Sequence, residues 1–418
     1  MTYPLSHKTV FLLDQSSAFA QPCEEIEIES NKSSQQATGF PTLPPIQKSI
    51  WTSAVESVLE YCRIVWDIFP AASDDWNESR LIRLIIFNDK ECKKVFSSWD
   101  RKYQSSSSLA SEMASAGRPE LLSNKFGSAA KAREKMRNGL RMALEVLCEN
   151  TEAQESLKKD DSATSMVINR GRIVCFTYAE DILTFSEEFS SLLQKELSEI
   201  NSAAASSGTL SSIAQLEVNV VSCSAVNEIG SKDEITQQIS PAVHFNICRS
   251  LAGQGLSKKL LELALTHYDL ASTTVTGIPM KEEQNASSSA NYDVELFHKA
   301  SAHWRLLSDS FESKPSLQRS EDIAAWMPQT QKEGFRYNTI TLKWCTPRGS
   351  SADLHNCTAL ARVTPTDVNS RPSSCLTNFL LSGRSVMLEM PRRSGSKILS
   401  HMLTSHGKYG TIPNFTDT

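Results

Sequence analysis

The sequence predicts an α/β domain followed by an all-β module, and two observations support this fold class. Over the first 240 residues, short apolar segments suited to buried strands alternate with amphipathic helical stripes, as in parallel sheets with crossover helices. After Tyr268, strand-like segments are separated by Pro, Gly, Ser and Asn, which is typical of all-β folds. We therefore expect an α/β domain at 1–240 and, at 241–418, a linking helix and a β-rich module with a polar loop near 301–333.

The first elements follow from apolar spacing. Residues 8–13 are apolar on both faces, which predicts a buried central strand. A helix is predicted over 46–69, because its apolar residues recur at helical spacing and Pro70 ends it. Residues 81–87 and 94–99 predict a hairpin around a polar turn.

The later elements are predicted in the same way. The serine-rich residues 104–111 indicate a loop. Helical stripes and buried apolar runs then alternate: a helix at 132–147, a strand at 172–177, a helix at 184–200, a strand at 216–221, and a long amphipathic helical stretch at 243–268 that includes Gly253.

Length and composition exclude several classes of protein. The chain has 418 residues, 40% of them hydrophobic, and a formal net charge of -5. This apolar fraction excludes wholesale disorder, and no apolar run reaches the ~20 residues of a membrane helix. A near-neutral balance disfavours a protein that binds nucleic acid by bulk charge. The ten cysteines include no C-x-x-C pair and indicate a reducing compartment.

The first strand ends in a motif that could hold a metal ion. Asp14 and Ser16 form an Asp-x-Ser sequence at the carboxyl end of that strand, where ligands bind in open α/β sheets. This resembles the magnesium-binding adhesion site of von Willebrand factor A domains. The third position of that site is Ala18 here, and Tyr178 stands where the family has Asp. The alternative is that Asp14 caps a turn and Ser16 caps the next segment. We expect a degenerate remnant and no bound metal or cofactor.

Two basic clusters offer a second kind of site. One lies along the helix at 132–147 and the other follows Pro391; their members are Lys131, Arg133, Lys135, Arg137, Arg141, Arg392, Arg393 and Lys397. A solvated helix face is the favoured interpretation of the first cluster. An acidic partner surface or a phosphate backbone is the weaker alternative.

Several long motifs match one family. They include Glu60-Tyr61-Cys62-Arg63-Ile64, Asp67-Ile68-Phe69-Pro70, Asn169-Arg170-Gly171-Arg172, Tyr268-Asp269-Leu270-Ala271-Ser272, Ile278-Pro279-Met280-Lys281-Glu282, Thr339-Ile340-Thr341-Leu342-Lys343-Trp344 and Val368-Asn369-Ser370-Arg371-Pro372-Ser373. The sequence resembles the Asunder family, also called Integrator complex subunit thirteen, in a C-terminally truncated form. The resemblance implies a von Willebrand A-like, Rossmann-type domain followed by a Ku-like β-barrel.

The resemblance also implies a function. It implies a non-catalytic scaffold that pairs with Integrator subunits fourteen and ten and supports 3′-end processing of small nuclear RNA. By family, it implies dynein recruitment to the nuclear envelope, mitotic and meiotic progression, and a nuclear and cytoplasmic location that is perinuclear in division. The alternative function is a metal-dependent adhesion-type binding module that uses Asp14 and Ser16. Neither function involves membrane insertion.

The family continues beyond the last residues of this sequence. We therefore expect a partial, incomplete barrel, and both nuclear import and docking of the cleavage module are in question because the family's C-terminal tail is absent. The segment 367–380 is the candidate interface or structured barrel loop, since its polar residues and proline demand specific turns. Its candidate residues are Asp367, Asn369, Arg371, Pro372 and Asn378.

Overall fold

The chain divides into two compact units. The computed structural model describes residues 8–26, 44–70, 80–88, 90–96, 98–120, 129–159, 168–225, 234–282, 285–302, 329–332, 335–345, 360–391, 397–405 and 413–417. The first unit covers Met1–Trp66 and Pro70–Leu261, and the second covers Asp67–Phe69 and Glu262–Thr418. The first unit thus extends past the expected boundary at 240, because strands between 234 and 251 pair within its sheet.

The first unit contains nine described strands, seven of which form one sheet. Its described strands are β1 (Lys8–Asp14), β2 (Pro22–Ile26), β3 (Ile46–Ser49), β4 (Leu81–Phe87), β5 (Cys92–Phe96), β6 (Arg170–Thr177), β7 (Gln215–Ser224), β8 (Glu234–Ser240) and β9 (Val243–Leu251). The order across the sheet is β5-β4-β1-β6-β7-β9-β8, while β2 and β3 form a separate pair. The five inner strands are parallel and both edge strands are antiparallel.

This strand order is doubly wound. Strand β1 lies between β4 on one side and β6 on the other. The direction in which successive strands are added to the sheet therefore reverses beside β1. Open sheets of this kind carry their ligand sites at the carboxyl ends of the strands next to such a reversal. The α/β class predicted from the alternation of segments is confirmed.

Helices complete the first unit. They are α1 (Ile50–Ile68), α2 (Ser106–Ala116), α3 (Ala129–Cys148), α4 (Glu152–Lys159), α5 (Ile182–Ser206) and α6 (Gln254–His267), of which α1 and α6 also contribute residues to the second unit. Leu140, Leu144 and Leu147 of α3 and Phe189 and Leu193 of α5 lie in one core cluster with the strands. Burial of these apolar faces stabilises the helices far more than their intrinsic propensity does.

Three predicted elements of the first unit are wrong in part. The predicted helix over 46–69 begins with strand β3. The expected loop at 104–111 contains the start of α2, whose first turn is capped by the Ser105 hydroxyl accepting from the N–H of Ser108 at 3.2 Å. The stretch 243–268 is strand β9 and then α6. Gly253, at φ +80°, separates them, because only glycine adopts such a turn without strain.

The second unit is a mainly antiparallel β-structure. Its described strands are β10 (Leu270–Glu282), β11 (Asn285–Lys299), β12 (Gln329–Lys332), β13 (Phe335–Cys345), β14 (Leu360–Arg362), β15 (Thr364–Pro365), β16 (Val386–Pro391), β17 (Lys397–Ser405) and β18 (Pro413–Asp417), with one helix, α7 (Arg371–Leu381). The predicted polar loop near 301–333 lies mostly outside the described residues.

The pairings of the second sheet form a closed circuit. Its order is β14-β18-β17-β16-β13-β10-β11-β15. Strands β14 and β15 are consecutive in the chain and separated only by Val363. The segment 360–365 therefore pairs with β18 on one side and with β11 on the other. This segment thus links the two ends of the strand order among the described residues, and the partial Ku-like barrel expected from the family stays a prediction.

The second unit has an apolar core cluster beside buried polar side chains. Its core cluster contains Val275, Leu296, Leu342, Val363 and Leu403. Val363 is fully buried, so the residue between β14 and β15 anchors the closing segment. Two residues of α7, Leu376 and Leu380, belong to the same cluster.

Candidate functional site

The acidic residue at the carboxyl end of β1 is held by two neutral donors. Oδ1 of Asp14 accepts a hydrogen bond from the backbone N–H of Ser16 at 2.8 Å. Oδ2 accepts one from the hydroxyl of Thr177 at 3.2 Å. Asp14 is buried, and these bonds replace the water lost around its carboxylate. The turn that Asp14 was expected to cap is present.

Ser16 behaves differently from the expectation. It precedes a short 3₁₀ turn, Ser17–Ala20, but its side chain makes no capping hydrogen bond. Only its backbone carbonyl contributes, by accepting the N–H of Phe19 at 3.0 Å. The expected side-chain cap by Ser16 is therefore wrong.

The donors at this edge do not fit a magnesium ion. Magnesium requires several oxygen ligands in near-octahedral geometry, whereas both oxygens of Asp14 are hydrogen-bonded within the fold. Tyr178, at the position of the family's second Asp, is 40% exposed. Among the described residues, no group of three or more His, Cys, Asp or Glu side chains could hold a metal ion. The geometry gives Asp14 a structural role.

Thr177 is the member of this site that sequence reasoning missed. Strands β1 and β6 pair in parallel with Leu13 opposite Phe176. The next residue on each strand is Asp14 and Thr177, so the two side chains meet at the same sheet edge. The signal was present as a polar residue at the end of a buried strand, but the pairing register is needed to use it.

The candidate interface segment is a capped helix and not a loop. Oδ1 of Asp367 accepts the N–H groups of Asn369 and Ser370 at 3.0 and 3.1 Å. The Ser370 hydroxyl accepts the N–H of Ser373 at 3.3 Å and caps α7. Pro372 lies in the first turn of the helix, where its missing N–H has no cost. These residues build the start of α7.

Part of this segment stays available at the surface. Asp367, Asn369, Arg371 and Asn378 are exposed, while Pro372 is half-buried. The opposite face of α7 packs into the barrel core, and Phe379 contacts Trp344 with ring centroids 5.7 Å apart. The segment therefore joins a structural face to a polar outer face.

Two arginines of the basic face of α3 form ion pairs with α5. Arg137 Nε lies 2.6 Å from Oε1 of Glu196, and Arg141 lies 2.9 Å from its Oε2. The Glu196 side chain is fully buried, and Arg141 also reaches Glu199 at 3.1 Å. These two arginines fix α3 to α5, which leaves less charge for an acidic partner or a phosphate backbone. The side chains of Lys131 and Arg133, and residues 392 and 393, lie outside the described part.

A buried cation occupies the opposite, amino edge of the first sheet. Lys8 is fully buried, and its Nζ donates to the carbonyls of Leu147 at 2.5 Å and Glu149 at 3.1 Å. Helix α3 ends there, and the partial negative charge of a helix C-terminus favours a cation. Burial nevertheless lowers the pKa of Lys8 from 10.5 to about 7.

Two buried histidines occupy the barrel. Nδ1 of His298 lies 2.9 Å from the Lys299 carbonyl, and its Nε2 lies 2.9 Å from the Thr273 hydroxyl. Because a carbonyl only accepts, Nδ1 carries the proton and Nε2 accepts from Thr273. Burial lowers the pKa of His298 to about 4. Burial, and secondarily the neighbouring His298, lowers the pKa of His401 to about 4.

The fold and site together define a class of two-unit proteins, in which a doubly wound α/β unit precedes a β-sheet unit in the chain. The acidic residue at the carboxyl edge of the first sheet, Asp14, is hydrogen-bonded to a neighbouring strand through Thr177. None of the helices in the described ranges has the length and apolarity that a bilayer crossing requires. The chain belongs to the family described as "Cell cycle and development regulator Mat89Bb", whose model matches residues 3–412.

Curated relatives resemble nearly all of the chain. Integrator complex subunit 13 of Mus musculus is 40% identical over 405 residues, which are 96% of this chain and 51% of the relative. Protein asunder of Drosophila willistoni is 38% identical over 410 residues, which are 96% of this chain and 56% of that protein. The chain spans about half the length of the curated relatives it matches. The expected family resemblance is confirmed.

Two solved structures share a distant likeness with the chain. Proximal thread matrix protein 1 of the mussel byssus aligns over 87% of this chain and 66% of its own, with a TM-score of 0.30 and 9% identity. The TFIIH p34 N-terminal domain aligns over 62% of this chain and 86% of its own, with a TM-score of 0.27 and 11% identity. TM-scores of this size do not establish a shared fold.

Proposed function

We propose that the chain is a non-catalytic scaffold subunit of an Integrator-type complex. It pairs with subunits fourteen and ten and supports 3′-end processing of small nuclear RNA. In the same family role it contributes to dynein recruitment at the nuclear envelope and to mitotic and meiotic progression. It acts in the nucleus and cytoplasm, with a perinuclear position during division. Its two units are of the von Willebrand A-like and Ku-like types.

The observation that carries this proposal is the match to relatives named as Integrator subunits across 96% of the chain. The geometry at Asp14 supports a scaffold over a catalyst, because its buried carboxylate is engaged by Ser16 and Thr177 within the fold.

The second unit offers a surface suited to pairing. Leu360 on the closing segment is 53% exposed, and Leu381 at the end of α7 is 45% exposed. Obligate interfaces cover apolar surface of this kind. We assign the pairing surface to the second unit, with Leu360, Leu381 and the polar outer face of α7 as its candidate contacts.

The competing function is a metal-dependent adhesion module at Asp14 and Ser16. It is favoured only by the Asp-x-Ser motif, and it requires Asp14 to exchange two hydrogen bonds for a metal ion. The two functions differ in their need for a divalent cation, which makes them separable.

Co-purification tests both functions. The tagged 418-residue chain is expressed with subunit fourteen, with and without EDTA, as wild type, as Leu360→Asp and as Leu183→Asp. Leu183 is 52% exposed but lies at the start of α5 in the first unit, so it is a matched control. We expect a complex that ignores EDTA, weakens about tenfold or more with Leu360→Asp, and tolerates Leu183→Asp.

The other outcomes assign the function elsewhere. Loss of the complex in EDTA supports the metal-dependent module. Equal losses of binding in the two leucine variants would contradict the assignment of the pairing surface to the second unit. Failure of the wild-type chain to bind subunit fourteen would contradict the scaffold proposal.

A further inference from the structure

A preformed cleft lies at the carboxyl edge of the first sheet, beside β1, β4 and β5. Its volume is about 310 Å³, and it is lined by described residues that include Gln15, Ile86, Lys93, Val95 and Arg118. A cavity of this size accepts one or two side chains. The proposed scaffold role does not use this cleft.

Register explains why two of these side chains share one side of the sheet. Leu13 pairs with Ile86, and Ile86 pairs with Lys93. Residues directly opposite each other on paired strands share a face of the sheet, so Ile86 and Lys93 lie on the same side. Gln15 follows the end of β1, and Val95 lies at an irregularity in the pairing of β4 with β5; both also line the cleft.

Hydrogen bonds fix the walls of the cleft. The side-chain amide of Gln15 donates to the carbonyls of Ala116 at 3.2 Å and Gly117 at 3.1 Å, and its oxygen accepts from Asn88 at 3.3 Å. Gly117, at φ +74°, turns the chain after α2 so that Arg118 follows directly at the rim. The cleft thus requires little ordering before it binds, which reduces the entropic cost of binding.

The β4–β5 turn is fixed in the same way. Oδ1 of Asn88 accepts the N–H groups of Lys90 at 2.8 Å and Glu91 at 3.0 Å. Both lie on the rim of the cleft, so their backbone positions are set by the turn.

The rim carries cations that are not neutralised by the fold. Lys90 is paired with Glu120 at 2.7 Å, so these two charges cancel. Lys93 and Arg118 are exposed, and the described part of the chain shows no ion pair for either. Ile86 and Val95 also line the cleft and, at 3% and 8% exposure, offer a small apolar contact area.

We propose that this cleft binds an acidic peptide segment of a partner protein. A Glu or Asp side chain of the peptide would pair with Lys93 and Arg118, and a neighbouring apolar side chain would cover Ile86 and Val95. Arg118 suits a carboxylate because its guanidinium donates two parallel hydrogen bonds. Glu91, which also lines the cleft, repels a continuous polyanion, so the charges favour a peptide with a single carboxylate at this point over a nucleic acid backbone.

The test is peptide binding to the full 418-residue chain. The probes are fluorescently labelled short peptides with glutamates beside leucine or phenylalanine, and the same peptides with lysine in place of glutamate. The variants are Lys93→Glu with Arg118→Glu as the double variant, each of the two changes alone, and Lys102→Glu, at an exposed position outside the cleft lining, as the control for a single charge reversal. Thermal melting confirms that each variant folds. Fluorescence anisotropy measures the affinity of each peptide at two salt concentrations, with and without an oligouridylate competitor.

We expect acidic peptides to bind, to weaken with added salt, and to lose at least about tenfold in affinity in the double variant. The Lys102→Glu control and the lysine peptides should show no comparable effect. Equal binding to wild type and double variant, or no binding to wild type, overturns the proposal. Loss of oligouridylate binding alone in the double variant also overturns it, in favour of a nucleic acid site.

Discussion

The α/β unit and the barrel bury ionisable side chains in opposite ways. In the α/β unit, Glu196 is buried between two arginines, and Lys8 lies against the carbonyls at the end of α3. In the barrel, His298 and His401 are buried among neutral groups, and burial lowers the pKa of each. In the α/β unit two arginines offset the buried charge of Glu196, and the end of α3 offsets that of Lys8 only in part, because burial still lowers its pKa. The second unit has no such offset among these groups and depends on its histidines staying uncharged.

Because of this difference, the stability of the two units should depend on pH in different ways. An ion pair inside the α/β unit tolerates mild acid, whereas a neutral histidine with a pKa of about 4 must be charged when the barrel unfolds below about pH 6.5. The two units should therefore respond to pH in different windows.

Acid gives the largest expected effect. The folded barrel binds fewer protons than the unfolded chain between about pH 4 and 6.5. The stability that the neutral histidines provide is therefore full above pH 6.5 and is lost as the pH falls through 4. Each histidine accounts for about 3 kcal/mol. Hydrogen exchange read separately in β10–β11 and in β1 and β6 should show the barrel opening first.

Two variants sharpen the acid prediction. His298→Gln should remove about half of the barrel's acid sensitivity, whereas the exposed His244→Gln in β9 should leave it unchanged. Equal acid sensitivity of the two units would contradict the contrast drawn between them.

The next largest expected effect is a stabilisation of the α/β unit as the pH rises above 7. Because the pKa of Lys8 is lowered from 10.5 to about 7, the folded state binds fewer protons than the unfolded chain in that window. The free energy of unfolding should rise by about 2 kcal/mol between pH 7 and 9. Urea denaturation across this range measures the slope, and Lys8→Met should flatten it. A slope that survives in Lys8→Met would assign it to another group.

The smallest effect concerns the ion pairs between α3 and α5. Glu196→Gln should cost about 2 kcal/mol, because it weakens charge-assisted hydrogen bonds to a fully buried side chain. The matched variant Glu199→Gln removes an exposed partner of the same Arg141 and should cost less than about 0.5 kcal/mol. Urea denaturation at constant pH compares the two. Equal costs would mean that burial of Glu196 does not strengthen its ion pairs.

Local patterns predicted the elements with continuous apolar signals. Strands β1 and β6 are apolar on both faces, and the helical stripe at 132–147 marks α3. Strand β9 was missed because its alternation of Val243, Phe245 and Ile247 with polar residues runs directly into a helical stripe. Helix α2 was missed because its serine-rich sequence lacks an apolar stripe, although Leu109 and Met113 are buried one turn apart.

The candidate site could not be predicted in full, because its contacts join residues that are distant in the sequence. Asp14 and Thr177 are far apart in the chain, and only the register of β1 against β6 brings them together. Closure of the barrel likewise joins residues 360–365 to strands on both sides. Such long-range pairings are decided by tertiary packing, so the sequence supplied the motif Asp-x-Ser but not its hydrogen-bonding partners.

The closing segment also sets an order of events during translation. Residues 360–365 cannot complete the ring until residues 413–417 have left the ribosome, because β14 pairs with β18. The α/β unit is fully synthesised by residue 261, and N-terminal domains generally fold before the later parts of a chain. Strands β14 and β17 therefore have unpaired edges until β18 has been made, and such edges can pair with other chains.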